Sequence, residues 1–311
     1  MSFGNSKFIW YDGKFVPWQQ ATTNVMTHSL HYGVSAFEGI RAYNTENDGG
    51  AIFRLFEHLR RLANTTKIFR MPMPYDTQIL ADAIIRLLQH NQLEQAYIRP
   101  IVFYGSNKLG LSVQGVDVHV AIAAWPWEAY LGKSAIKNGI NAKISSFRRP
   151  SNNAHLTRAK IAALYANSIL AKMEAYEDGY DEALLLDNDG CIAEATGENV
   201  FIVKDGHLFE PEPTAALLGI TRDTIVKLAK DRGIKTTPCR LTRDDLYLAD
   251  ELFIVGTAAE IVPIVHLDKR IINEGVPGSI TNILCQAYAD VVRGRISQYY
   301  NWLTFIRDTP S

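Results

Sequence analysis

The stretch C-I-A-E-A-T-G-E-N-V-F-I-V, Cys191 to Val203, sets one carboxylate, Glu194, inside what reads as a buried strand. A buried carboxylate is costly unless a cation meets it. The nearest basic side chain downstream, Lys204, lies at the far end of that strand. No neighbour in sequence answers the charge, and a protonated pyridine nitrogen would serve. If the strand is regular, Ile192 and Thr196 share the face of Glu194; the plain alternative is an edge-strand carboxylate facing water.

Outward from this stretch, strands and helices mix without strict alternation, which favours α+β domains over a parallel barrel. F-I-V-K-D-G-H-L-F and L-L-L-D-N-D-G-C-I signal hairpins on either side of it, and I-W-Y-D-G-K-F-V signals another near the start, turning on Asp12-Gly13. A-I-F-R-L (51–55) reads as the return strand after N-D-G-G. Helical spacing follows from Glu57 to Phe69. Asp76 caps a second helix running to Asn91, with Ile79, Ala83, Leu87 and Leu88 on one side. Two apolar strands, Y-I-R-P-I-V-F-Y and V-H-V-A-I-A-A-W, close a first domain over 1–128. The break at P-W-E-A-Y-L-G-K-S (126–134) has linker composition, 129–137 forms the linker, and 138–311 forms a second, larger domain. There the spacing predicts a strand over 140–147, a helix from Ala159 to Tyr176, a helix starting at G-I-T-R-D, and one last strand, E-L-F-I-V-G-T-A-A-E-I-V-P.

The chain has 311 residues, 32 basic against 33 acidic, a balance that recruits neither nucleic acid nor an acidic membrane surface. No apolar run reaches membrane-spanning length. The three cysteines, Cys191, Cys239 and Cys285, lack metal or redox spacing, and the first residues lack a signal-peptide pattern. A cytoplasmic protein without a metal is expected.

Thirty-four residues before Glu194, in L-T-R-A-K-I-A-A-L-Y, Lys160 precedes an apolar run. Most helix lysines are simply solvated, but an ammonium in apolar surroundings loses pKa and becomes a nucleophile. A lysine able to form a Schiff base and a carboxylate able to hold a ring nitrogen are the pair that pyridoxal phosphate requires. Two segments suit its phosphate: Gly219, Ile220 and Thr221 at a helix start, and Gly256-Thr257 at a strand end. Arg60 and Arg61 in E-H-L-R-R-L offer a cation, although at least one of them must be a solvated helix residue.

The motifs H-Y-G-V-S-A-F-E-G-I-R-A-Y (31–43), E-H-L-R-R-L (57–62), A-Y-I-R-P (96–100), A-K-I-A-A-L-Y (159–165), E-A-T-G-E-N (194–199), G-I-T-R (219–222) and G-T-A-A-E (256–260) together give the chain an almost end-to-end resemblance. It resembles the branched-chain amino-acid aminotransferases of the class IV pyridoxal phosphate-dependent family. That resemblance implies a fold type IV enzyme of two domains with the cofactor in the crevice between them. It implies a ping-pong exchange in which leucine, isoleucine or valine becomes its 2-oxo acid and 2-oxoglutarate becomes glutamate. Lys160 would form the Schiff base, Glu194 would meet the ring nitrogen, and Tyr165 the phenolic oxygen. Arg61, Gly219, Ile220, Thr221 and Thr257 would hold the phosphate. The substrate would meet Phe37, Gly39, Arg41, Trp127, Tyr130 and Tyr165. Its carboxylate would meet Tyr97 and the backbone of Thr257, Ala258 and Ala259, and Arg99 would neutralise the second carboxylate of glutamate. A homodimer or larger assembly, up to a hexamer, would lend Tyr32 and Leu111 across its interface. The chain departs from the family pattern at Ala163, Ala195 and Leu218, which bear on substrate breadth and rate. The alternatives are a class IV transaminase of D-amino acids or (R)-amines, a class IV lyase, or a non-catalytic scaffold.

Overall fold

A computed structural model describes residues 6–46, 48–127 and 132–307. The chain divides into two compact units, Met1–Glu128 with Ala159–Ala163 and Asp290–Ser311, and Ala129–Arg158 with Leu164–Ala289. Both units are therefore discontinuous in sequence, unlike a simple cut at the linker.

In the first unit an eight-stranded sheet runs in the order Leu303–Phe305, Gly50–Phe53, Ile40–Asn44, Ala96–Tyr104, Val118–Trp125, Phe8–Tyr11 and Lys14–Pro17, with Ser35–Phe37 also paired to Ala96–Tyr104. Asp12 and Gly13 both adopt positive φ, 44° and 87°, which matches the predicted hairpin turn to the strand twist. Helices Leu55–Ile68 and Thr77–Asn91 pack on this sheet. Their inner faces, Leu59 and Leu62 on one and Leu80, Ile84, Leu87 and Leu88 on the other, share a core with Ile40, Ile98 and Val120. Asp76 caps the second helix as expected, accepting the Ile79 N–H at 2.8 Å. Ile79 itself faces solvent, because the inward stripe passes through Leu80 and Ile84.

Two segments distant in sequence complete this unit. Leu303–Phe305 pairs antiparallel with Gly50–Phe53 and covers that sheet edge. Lys160 lies outside any helix, directly before an isolated bridge between Ile161 and Ala36. The helix expected over Ala159–Tyr176 therefore does not include Lys160. A 3₁₀ turn spans Ala162–Leu164 and the α-helix is Tyr165–Glu177. Pairing with the chain at Ala36 supplies the backbone of this segment with partners that a helix would otherwise provide.

The second unit holds a mixed nine-stranded sheet, ordered Ile192–Ala195, Glu182–Leu186, Ile140–Arg148, Glu260–Leu267, Glu251–Gly256, Asn199–Lys204, His207–Pro211 and Thr236–Cys239, with Arg270–Ile271 on Glu260–Leu267. The stretch read as one buried strand is two, Ile192–Ala195 and Asn199–Lys204, joined through Thr196-Gly197-Glu198, where the Ala195 N–H bonds to Glu198 O. A register shift between Ile192 and Glu194 breaks the regular alternation assumed for its faces. The expected last strand is likewise a hairpin, Glu251–Gly256 and Glu260–Leu267, turning at Thr257-Ala258-Ala259.

Glu251 reaches from its strand to the start of the Ser279–Val292 helix, accepting the N–H groups of Ile280 (3.0 Å) and Thr281 (2.7 Å) and the Thr281 hydroxyl (2.6 Å). Gly278 permits the approach, since a Cβ there would lie 1.9 Å from the Glu251 carboxyl carbon. Glu251→Ala should cost about 1–3 kcal/mol by orphaning these buried donors. Hydrogen exchange should show it as faster exchange across the first two turns of that helix; unchanged protection there would refute the cap.

Candidate functional site

In the first unit the predicted residues gather around Phe37. The Phe37 N–H donates to Lys160 O at 3.1 Å, and the Lys160 Nζ lies 5.0 Å from the centre of the Phe37 ring. Arg99 lies 4.8 Å from the same ring centre and donates to the Tyr97 hydroxyl at 3.1 Å. Arg99 has no ion pair among the described residues. Tyr97 packs against Trp127 with tilted rings 4.6 Å apart, and its hydroxyl lies 2.0 Å from where a Cβ on Gly39 would fall, which favours glycine there. Arg41 is buried over the Tyr43 ring. Tyr130 lies outside the described residues.

Beneath this group is a cluster that sequence reading did not identify. Glu38 is fully buried and accepts a fork from Arg61, Nε to Oε1 at 2.6 Å and Nη2 to Oε2 at 2.9 Å. His58 Nδ1 meets the same carboxylate at 2.9 Å. Arg60 is exposed, which answers which of the two arginines faces inward. Burial works to raise the Glu38 carboxyl, but the Arg61 charge and the hydrogen bonds from Arg61 and His58 outweigh it and hold the carboxyl far below the usual range. Burial foremost, with the charges of Arg61 and Lys160, holds His58 below its ordinary value against the pull of Glu38. The signal is present in F-E-G-I-R and E-H-L-R-R-L, but which acid meets which base is set by tertiary packing.

In the second unit Glu194 is buried and both its oxygens are engaged. Arg149 Nη2 lies 2.5 Å from Oε1, and the Leu217 N–H donates to Oε2 at 3.0 Å. The partner missing from sequence reading is thus an arginine at the end of the strand Ile140–Arg148, itself buried, and not a residue of Glu194's own strand. R-R-P alone does not show which arginine turns inward. Leu217 begins the approach to the helix Ile220–Asp231, for which Gly219 is the N-cap residue. The Asn199 amide donates to Leu217 O at 2.9 Å, and its oxygen occupies the place of a Gly219 Cβ, 2.0 Å away. Ile220 and Thr221 open the helix and are buried. Thr257 and Ala258 form a half-buried hairpin turn with Ala259 buried beside them, and Tyr165 starts its helix half-buried.

Each unit thus carries a buried carboxylate–arginine pair, Glu38 with Arg61 in the first and Glu194 with Arg149 in the second. The family model for amino-transferase class IV matches residues 35–267. The chain belongs to that family. Class IV membership makes it an enzyme that transfers amino groups. The chain is 49% identical over 96% of its length, and 97% of the relative's, to a branched-chain-amino-acid aminotransferase of Pseudomonas aeruginosa. The crystal structure of the Escherichia coli branched-chain amino acid aminotransferase superposes with a TM-score of 0.95 at 42% identity, covering 97% of this chain and 100% of that one. A branched-chain amino acid aminotransferase from T.th., complexed with N-(5'-phosphopyridoxyl)-L-glutamate, gives 0.93 at 42% identity, covering 97% and 99%. The class IV fold accords with the mixed helix and sheet read from the sequence. Among the described residues no group of side chains could hold a metal, and no helix is long and apolar enough to cross a membrane.

Glu38 and His58 both titrate below their ordinary values of 4.5 and 6.5. Each therefore contributes stability in full above that value and loses it as the pH falls, because the unfolded chain takes up the proton first. Thermal stability should decline as pH falls from about 7 toward 4. Glu38→Gln should cost about 3–5 kcal/mol at neutral pH by leaving Arg61 without its buried counter-charge, and should flatten the acid slope. A variant with the parent's profile of Tm against pH would count against the cluster.

Proposed function

We propose that the protein is a pyridoxal phosphate-dependent branched-chain amino-acid aminotransferase, exchanging the amino group between L-leucine, L-isoleucine or L-valine and 2-oxoglutarate. The observation that carries this reading is the Phe37 ring flanked by Lys160 and Arg99. An aromatic wall suits an aliphatic side chain, and a guanidinium without a carboxylate partner among the described residues suits the second carboxylate of glutamate or 2-oxoglutarate. One pocket can then take both substrates without leaving a charge buried and unpaired.

The residues fit the cofactor. A helix start at Gly219-Ile220-Thr221 favours a phosphate through N–H groups that the helix does not itself use. Its close approach depends on the glycine packed against Asn199. Arg61, oriented by Glu38 through Nε and Nη2, is the cation assigned to the phosphate. Glu194, fixed by Arg149 and Leu217, is the carboxylate for a ring nitrogen, and Tyr165 for the phenolic oxygen. When bound, the cofactor supplies a ring that draws electrons from the substrate's α-carbon. Lys160 Nζ would serve as the amine that accepts the proton from the substrate's α-carbon, as a base whose conjugate acid can give it back. Tyr97, held against Gly39, and the Thr257-Ala258-Ala259 turn would orient the substrate carboxylate; Phe37, Arg41 and Trp127 would shape the rest of the pocket.

A homodimer or larger assembly is supported by the exposure of Tyr32 (40%) and Leu111 (89%), neighboured by exposed Val25 and Leu30. The three cysteines are free thiols, which accords with a cytoplasmic location.

The visible cofactor band of the purified protein should bleach with L-leucine and return with 2-oxoglutarate. A band that ignores leucine and answers an (R)-amine or D-amino acid would move the activity to a sister specificity, and pyruvate release without an acceptor would indicate a lyase. Arg99→Leu should lower kcat/KM for glutamate and 2-oxoglutarate by roughly 10–100-fold, the worth of hydrogen bonds to a charged group, with little change for leucine. Equal losses for both substrates would remove Arg99 from that role.

A further inference from the structure

Thr65 is completely buried on the Leu55–Ile68 helix, and its hydroxyl accepts the backbone N–H of Lys160 at 3.1 Å. The bond joins residues 95 positions apart. Three groups on this helix therefore face the same way at helical spacing. His58 and Arg61 are bound to Glu38, and Thr65, one turn beyond Arg61, is bound to the lysine backbone.

The Lys160 peptide groups need such partners. The segment lies outside any helix and is buried on either side, at Ala159 and Ile161. Its carbonyl is taken by the Phe37 N–H and, three residues on, the Ala163 N–H is taken by Gly33 O at 3.0 Å. The Lys160 N–H points instead at the helix, where only a side-chain oxygen can meet it. Thr65 and Phe37 thus grip the lysine from its two peptide faces, and the direction in which its side chain leaves the backbone follows from both.

We propose that Thr65 is a positioning residue for Lys160, fixing the lysine backbone to the same helix that carries the anion-binding Arg61. The proposal rests on Lys160 being the reactive amine. Through this one helix, the placement of Arg61 by Glu38 and the placement of Lys160 by Thr65 share a single rigid frame. Loss of the hydroxyl leaves a buried N–H unsatisfied and lets the lysine drift relative to that frame.

Thr65→Ala and Thr65→Ser both lack the γ-methyl group and differ only in the hydroxyl, so their comparison separates hydrogen bonding from packing. Hydrogen exchange, read on the peptide spanning residues 157–164 of the purified protein without substrate, should quicken roughly tenfold or more in Thr65→Ala and stay near the parent in Thr65→Ser. With L-leucine, kcat should fall roughly tenfold in Thr65→Ala with KM nearly unchanged. The pH at which the visible cofactor band changes should move in Thr65→Ala and return in Thr65→Ser. Equal exchange in the two variants would overturn the proposal. So would a uniform loss of protection along the whole helix in Thr65→Ala, which would make Thr65 a packing residue only. If instead the parent protein shows no cofactor band or transamination, the functional reading fails, while the exchange comparison still reports whether the hydroxyl holds the lysine backbone.

Discussion

A carboxylate with no access to water, Glu38, anchors the first unit and much of the chemistry assigned to it. Placing such a charge among hydrocarbon is unfavourable by several kcal/mol unless it is fully met. Here an arginine fork and an imidazole meet it from one helix, and the residue before it, Phe37, bonds the lysine strand. The same few atoms therefore fix the helix against the sheet, orient Arg61 and set the course of the Lys160 segment. Apolar replacements of similar volume often preserve a core of this kind, but here they would leave the arginine without direction. Retaining the charge makes sense when the guanidinium has work to do beyond folding.

The second unit repeats this logic with different parts. Glu194 has Arg149 on one oxygen and a backbone N–H on the other, so its orientation is set without help from any ligand. A carboxylate held in this way can face a ring nitrogen without reorganising when it arrives, which is the condition for effective electrostatic control. Asn199 then links the same region to the glycine-capped helix, so Glu194 and the helix start are built on adjoining backbone.

Local sequence makes the hairpins, the Asp76 cap and the amphipathic helices of the first unit legible, because each rests on residues within a few positions of one another. It also marks Lys160, Glu194 and Gly219 as chemically unusual. A helix through Lys160 fails for a physical reason: the continuous apolar run Ile161–Leu164 suits a buried non-helical segment as well as a helix, and the bridge to Ala36 decides between them. The faces expected around Glu194 fail at a register shift that no pattern of residue types announces. Arg149, Glu38, His58 and Thr65 stay hidden in the sequence because each acts across a long separation along the chain. Their partners are chosen by packing, and a list of residue types carries no record of that choice.

The discontinuity of the first unit bears on how the chain acquires its structure. Its sheet has the edge Gly50–Phe53 early in synthesis, yet the strand that covers it, Leu303–Phe305, follows the whole of the second unit. The segment carrying Lys160 also arrives only after the eight-stranded sheet has most of its strands. Folding in order from the N-terminus is therefore unable to finish the first unit before the second has been made. The nascent protein must carry an uncovered sheet edge while that second unit is translated, a state open to mispairing with other chains. Only when residues 303–305 emerge does the edge close, so the unit that holds Lys160 is the later of the two to be completed.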